Sequence, residues 1–245
     1  MRLFAAATAF ALVLPAAAAA QEKSAIKPGF AFSASEPVRV VVFRPDVSVG
    51  SQSAGGMNEP NAEWTAQARV ELVRSLESAL EARSGEMTMM PELEGADATL
   101  LANYRSLFKS VTDMVVAHRL FKGNRLPTKL DKFDWSLGPG VSRLAGVAGG
   151  RPADYGLFFL TNDSYGSAGR KALQVVGLLT GFGMPKSGVH TGYAGLVDLK
   201  SGDLVWINAD LAMGGDVREA EGAAKRVGQL LEDFPGRAPT ITAAR

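Results

Sequence analysis

The sequence predicts an α/β (α+β) fold: a single domain in which a mixed β-sheet is flanked by helices, with a C-terminal β-hairpin followed by a final helix. Three observations predict it. A Val-rich run at residues 38–43, bounded by Pro37 and Pro45, reads as a short strand buried on both faces. Two long stretches with helical apolar spacing follow, separated by a short strand-like run. Two apolar runs, 189–199 and 204–211, flank Lys200, Ser201, Gly202 and Asp203, which is the pattern of a β-hairpin. The order β, α, β, α, β, a short helical piece, β, β, α alternates first and pairs later, and this gives a mixed sheet with helices packed on it.

The elements follow in chain order. Arg2 is the one charge before Glu22, residues 3–14 are apolar but for Thr8, and Ala16, Ala17, Ala18, Ala19 and Ala20 follow Pro15. A basic start, a short apolar core and a small-residue cleavage site make residues 1–20 a secretory signal peptide. The apolar run is too short to span a bilayer, which needs roughly 20 residues. Residues 21–36 read as a linker or loose N-terminal arm, and 37–237 as the folded domain. Residues 46–60, rich in Gly, Ser and Asn, read as a long loop, either an ordinary flexible surface loop or one of the kind that carries function. Asn61 caps the next helix, in which Leu72, Leu76 and Leu80 line the buried face up to about Ser84 and Gly85. Residues 87–90 read as a strand and 98–121 as a second helix, with His118 on its apolar stripe as a core or boundary residue.

The stretch 123–152 reads as irregular, with a helical piece at 141–147. Residues 154–160 form a second buried strand, and 162–171 a Gly-rich loop. The segment 172–184 is apolar apart from Gln174 and Thr180 and reads as a covered core segment, the alternative being an exposed flap that meets a partner or membrane surface. Asp198 and Asp203 suit the hairpin turn because their carboxylates accept backbone N–H bonds. Asp216, with Glu219 three residues on, reads as a capping box opening the last helix, whose buried face is Val217, Ala220, Ala224, Val227 and Leu231. Residues 238–245 read as a frayed tail.

Composition excludes whole classes. The 245 residues are 47% hydrophobic and 21% charged, too apolar for a disordered chain. There is no cysteine, so disulfides, zinc–thiolate sites and cysteine nucleophiles are ruled out. The formal charge is +1; cleavage of the signal removes Arg2 and leaves Lys+Arg and Asp+Glu equal at 25 each. That balance argues against nucleic acid as a partner.

Catalytic motifs are missing. Gly166 and Gly169 are too close for a phosphate loop and Ala172 follows Lys171, while no G-x-G-x-x-G or G-x-S-x-G occurs. His118 and His190 are the two histidines, with no paired metal-ligand spacing. Asp46, Asp131, Asp134, Asp163, Asp198 and Asp210 read as turn and cap residues. No catalytic, cofactor or metal residue is assigned.

The hairpin from Ala194 through Asp198, Ser201, Gly202 and Asp203 to Trp206 resembles one typical of the CsgG-like envelope proteins, a strand, then D-x-x-T/S-G, then a strand with an aromatic. That group includes the curli secretion lipoprotein, the LpoB activators of penicillin-binding proteins and the N-terminal domain of TolB. Ala153, Asp154, Tyr155, Gly156, Leu157 and Phe158 are similar to the group's A-D-Y-h-h strand, and the likeness in element order covers residues 37–234. The resemblance implies a mixed sheet flanked by helices, no active site, and a role in envelope assembly or partner binding. The chain departs from the curli protein in lacking the cysteine that carries its lipid, so it is expected not to be a lipoprotein. It also lacks a pair of alternating ten-residue strands, so no channel is expected.

The expectation is therefore a non-enzymatic periplasmic or secreted protein that binds an envelope protein or cell-wall component and can form a homo-oligomer. Asn162, Asp163, Tyr165, Arg170, Lys171 and His190 are the candidate partner-binding residues, since two Gly-rich segments follow buried strands at the end where α/β sheets bind. The alternatives are an envelope hydrolase using His190 with Asp163 or Asp210, and a small apolar-ligand or lipid-binding module built around 172–184.

Overall fold

The structure, a computed structural model, describes residues 23–33, 37–81, 86–147, 151–180 and 188–236. The expected signal peptide, the tail at 238–245 and the end of the 172–184 segment lie outside the described residues. The Val-rich run forms β2 (Arg39–Val42), flanked in parallel by β5 (Glu86–Met89) and β6 (Tyr155–Gly166). Antiparallel to β6 lies β7 (Val189–Asp198), which pairs with β8 (Leu204–Asp210) as the hairpin pattern predicts. With β1 at Ser24–Ile26, the sheet order is β1-β8-β7-β6-β2-β5, a mixed sheet in one domain, as the element order predicts.

Each face of the sheet has its own core. α1 (Ala62–Glu81) and α4 (Ala220–Leu230) cover one face, burying Leu72, Leu76, Val227 and Leu230 against Val42, Leu157, Phe159 and Trp206. α2 (Gly95–Val115), its π-turn Val116–Leu120 and the 3-10 turn Pro139–Leu144 cover the other, around Phe43, Phe108, Phe158 and Ile207. A buried leucine or phenylalanine contributes roughly 1.5–3 kcal/mol by leaving water, so these two layers are the main favourable term in folding. The Asn61 cap forms, its Oδ1 accepting from Trp64 N–H at 2.9 Å. On β7, Gly195 lets α2 approach closely: a Cβ there would sit 2.5 Å from the ring of Phe108, which is stacked on Phe158. In the hairpin turn Asp198 accepts from Lys200 N and Ser201 N, and Gly202 has φ +85° with no room for a side chain against Gly138.

Five sequence expectations need correction. Residues 46–60 are not a loop. β3 (Asp46–Gln52) continues beyond β2 along β6, and β4 (Asn58–Pro60) pairs back onto it. Val47 and Val49 point inward between exposed Asp46 and Ser48, a period of two hidden by the Gly and Ser content. Residues 162–171 are not a loop either: β6 runs on through Gly166, and α3 (Ala168–Thr180) starts two residues later. α3 is not a covered segment over its described side chains, since Leu173 is 47% exposed and Val175 58%. The last helix begins at Ala220 rather than Asp216: Asp216 Oδ1 accepts from Arg218 N–H and its carbonyl from Glu219 N–H, which closes a separate turn ahead of the helix. The N-terminal arm is docked: β1 (Ser24–Ile26) extends the sheet on β8, and Phe30 and Phe32 pack edge-on against Tyr155.

Candidate functional site

Alternation along β6 aims Thr161, Asp163 and Tyr165 at the face covered by α1 and α4. The β6–β7 register sets His190 directly across from Asp163. α4 delivers Arg226 from its buried side, beside Ala223 and Val227. Four polar groups thus meet beneath the far end of the sheet.

Asp163 and Arg226 are both fully buried. Arg226 grips the carboxylate with both terminal nitrogens, Nη2 to Oδ1 at 2.8 Å and Nη1 to Oδ2 at 3.1 Å. Oδ1 also pairs with His190 Nδ1 at 2.8 Å, and the Thr161 hydroxyl donates to Oδ2 at 2.8 Å while accepting from Arg226 Nη1 at 2.8 Å. Each carboxylate oxygen therefore has two partners. A buried ion pair needs this degree of hydrogen bonding to offset its desolvation, which costs several kcal/mol per ion.

Outward from this cluster lies an aromatic and cationic stack. The Tyr165 ring is 4.9 Å from the His190 ring, and Arg218 lies over both Tyr165 and Trp64, at 4.2 and 4.4 Å. Such guanidinium–aromatic contacts contribute about 0.5–1 kcal/mol each when part-exposed. The Arg218 hydrogen bond is the main cause holding Asp216 down at about 2. Burial, followed by the charges of Asp163 and Asp216, pushes the Tyr165 phenol well above its ordinary 10, so it stays neutral. Gly188 leaves room for His190, since a Cβ there would lie 2.9 Å from Nε2.

Of the expected binding residues, the structure brings Asp163, Tyr165 and His190 together. Asn162 is exposed on the opposite face of β6, and Arg170 and Lys171 sit on the first turn of α3, Arg170 beside Gly56 of the β3–β4 turn. Asp210 is not a partner of His190; it takes Lys23 Nζ at 2.9 Å and caps Ala212 N. Thr161, Arg226, Arg218 and Trp64 escape sequence reasoning. Arg226 left one readable trace: it interrupts the apolar side of α4 between Ala223, Val227 and Leu230, and a cation there implies a buried anion.

The Asp163 carboxylate is fully engaged, whereas His190 is a quarter exposed. A His–Asp pair activates a nucleophile when the carboxylate stabilises the charged imidazole and the other ring nitrogen holds a hydroxyl. Here Arg226 already neutralises that carboxylate, and among the described residues no hydroxyl is hydrogen-bonded to His190 Nε2. No group of three metal-ligating side chains occurs among the described residues.

No family model and no curated protein matches the chain. Among solved structures it is similar to a PelC dodecamer from Paraburkholderia phytofirmans, with 11% identity over 87% of this chain and 99% of that one, at a TM-score of 0.34. It is also similar to the LpoB C-terminal domain from Salmonella enterica, with 14% identity over 74% of this chain and 87% of that one, at a TM-score of 0.25.

Proposed function

We propose that this chain is an exported, non-enzymatic cell-envelope protein that acts by binding another envelope protein at the far end of its sheet. One observation carries the reading: bulky apolar side chains are exposed on three adjoining elements there. Met57 in the β3–β4 turn is 73% exposed, Leu173 and Val175 on α3 are 47% and 58%, and Val189 at the start of β7 is 43%. These elements are neighbours. Ala54 lies by Gly169, and Val189 registers against Ser164 of β6. Scattered single exposures need no explanation; four on adjoining elements at one end of the sheet support a contact surface there. The balanced charge expected after signal cleavage fits recognition by shape and apolar contact, and residues 1–20 supply export.

The test is photocrosslinking in cells from positions 57, 173 and 175, with position 74 on the opposite part of α1 as control. Crosslinks to one envelope protein from the three positions support the reading. Crosslinks to a second copy of the chain would make the surface a self-association interface instead, and no position-dependent product would overturn the proposal.

A second reading, a hydrolase using His190 with Asp163, has the 2.8 Å contact in its favour. It requires that His190→Ala abolish ester or amide cleavage by a protein that has such activity. An inactive wild type, or a variant as active as wild type, removes it.

A further inference from the structure

Between β2 and β3 the chain breaks step at Phe43, Arg44 and Pro45, then resumes pairing along β6. The break opens a cavity of about 210 Å³ at the gap between α1 and α2. Three arginines line it, one from each neighbouring element: Arg44 from the break, Arg69 from α1 and Arg105 from α2. Asp46 and Glu92 are the acids of its wall, so cations outnumber anions.

These guanidiniums are poorly matched by the protein itself. Arg105 Nη2 donates to the Arg44 carbonyl at 2.6 Å, which fixes its position without balancing its charge. None of the three forms an ion pair among the described residues. The Nε groups of Arg44 and Arg105 are both buried without a hydrogen-bond partner. A buried unpartnered donor costs about 1–3 kcal/mol, and both belong to residues that line this cavity, with the exposed Arg69 beside them. Burial holds Arg105 below its ordinary value; Asp46 opposes this, and the like charge of Arg69 adds to it more weakly.

We propose that this cavity is a binding site for an oxyanion group, a phosphate or a carboxylate, carried by a small molecule or a single sugar unit. Planar guanidinium forks match both groups through paired N–H bonds, and an oxyanion here would satisfy the two orphaned Nε donors while neutralising the excess charge. The site is separate from the apolar rim, and the proposal stands whether or not that rim binds a protein.

The experiment is equilibrium binding to the full chain by titration calorimetry, using inorganic phosphate in one arm and glucuronate in the other, at constant ionic strength with chloride as the balancing anion. Saturable binding in either arm is expected, and the arm that binds identifies the group. Arg69→Gln, at an exposed position on α1, and Arg44→Gln should each weaken binding about tenfold, with thermal unfolding recorded to confirm that both fold. Binding in neither arm overturns the proposal, and so does binding that both folded variants retain in full.

Discussion

The buried pair of Asp163 and Arg226 makes a demanding prediction. Arg226→Met keeps the length and apolar stem of the side chain but removes three hydrogen bonds, at 2.8, 2.8 and 3.1 Å, and the positive charge facing Asp163. The carboxylate, fully buried, is left with the Thr161 hydroxyl and His190. Stranding one member of a buried pair costs about 3–5 kcal/mol. For a domain of about 200 residues each kcal/mol moves Tm by roughly 2–4 °C, so the midpoint should fall by about 6–20 °C. The double variant Asp163→Leu with Arg226→Met removes both charges, so it should recover at least about 2 kcal/mol relative to the sum of the single changes. Urea unfolding at neutral pH, followed by circular dichroism, measures all four corners of the cycle. A single-variant cost below about 1 kcal/mol, or a cycle additive to within about 0.5 kcal/mol, would refute the claim that these two residues hold β6, β7 and α4 together.

Three further outcomes are expected. Asp216 is held at about 2 against an ordinary 3.8, worth ~2.5 kcal/mol at full strength, but a third of its side chain is in water and about 1 kcal/mol is expected in practice. Because the folded form lowers this group, its stabilisation is complete above pH 3.8 and is lost as pH falls toward 2. Asp216→Asn should therefore be less stable than wild type at neutral pH and converge with it across that window, and a constant difference would count against the assignment. Phe32→Ala should cost about 3 kcal/mol in urea unfolding, since the ring is 6% exposed among Phe30, Tyr155 and Phe234; a loss under about 1 kcal/mol would mean the arm is not part of the fold. Gly202→Ala should destabilise by about 2 kcal/mol or more, because φ there is +85° and the new methyl meets the Gly138 backbone, and an unchanged midpoint would contradict that geometry.

Elements with a dense local signal were legible in the sequence. β2 shows itself as three consecutive valines between prolines, α1 as leucines every fourth residue behind an Asn cap, and the β7–β8 hairpin as a turn whose Asp and Gly have defined jobs. The misread strands share one physical cause, which is that composition and pairing disagree. In β3, Gly50, Ser51 and Gln52 look like loop residues, yet a central strand, β6, lies beside them and supplies the hydrogen bonds that propensity does not. Gly50 fits there because the β4 backbone at Glu59 leaves no room for a Cβ. In the same way 24–26 is too short to be read alone, and becomes a strand because β8 offers an open edge.

The candidate site was half legible for a related reason. A β-strand displays its neighbours by alternation, so Asp163 and Tyr165 can be read as sharing a face, and a hairpin-like return can set His190 opposite. Arg226 comes from 63 residues further on, and nothing local ties it to Asp163. Its presence also changes the meaning of the other residues. An Asp–His pair alone reads as the start of a catalytic relay, whereas the same pair held by a buried bidentate arginine is a clamp that fixes the register of two strands under a helix. On the function proposed above, the exposed apolar groups on the β3–β4 turn, α3 and the start of β7 are the working surface.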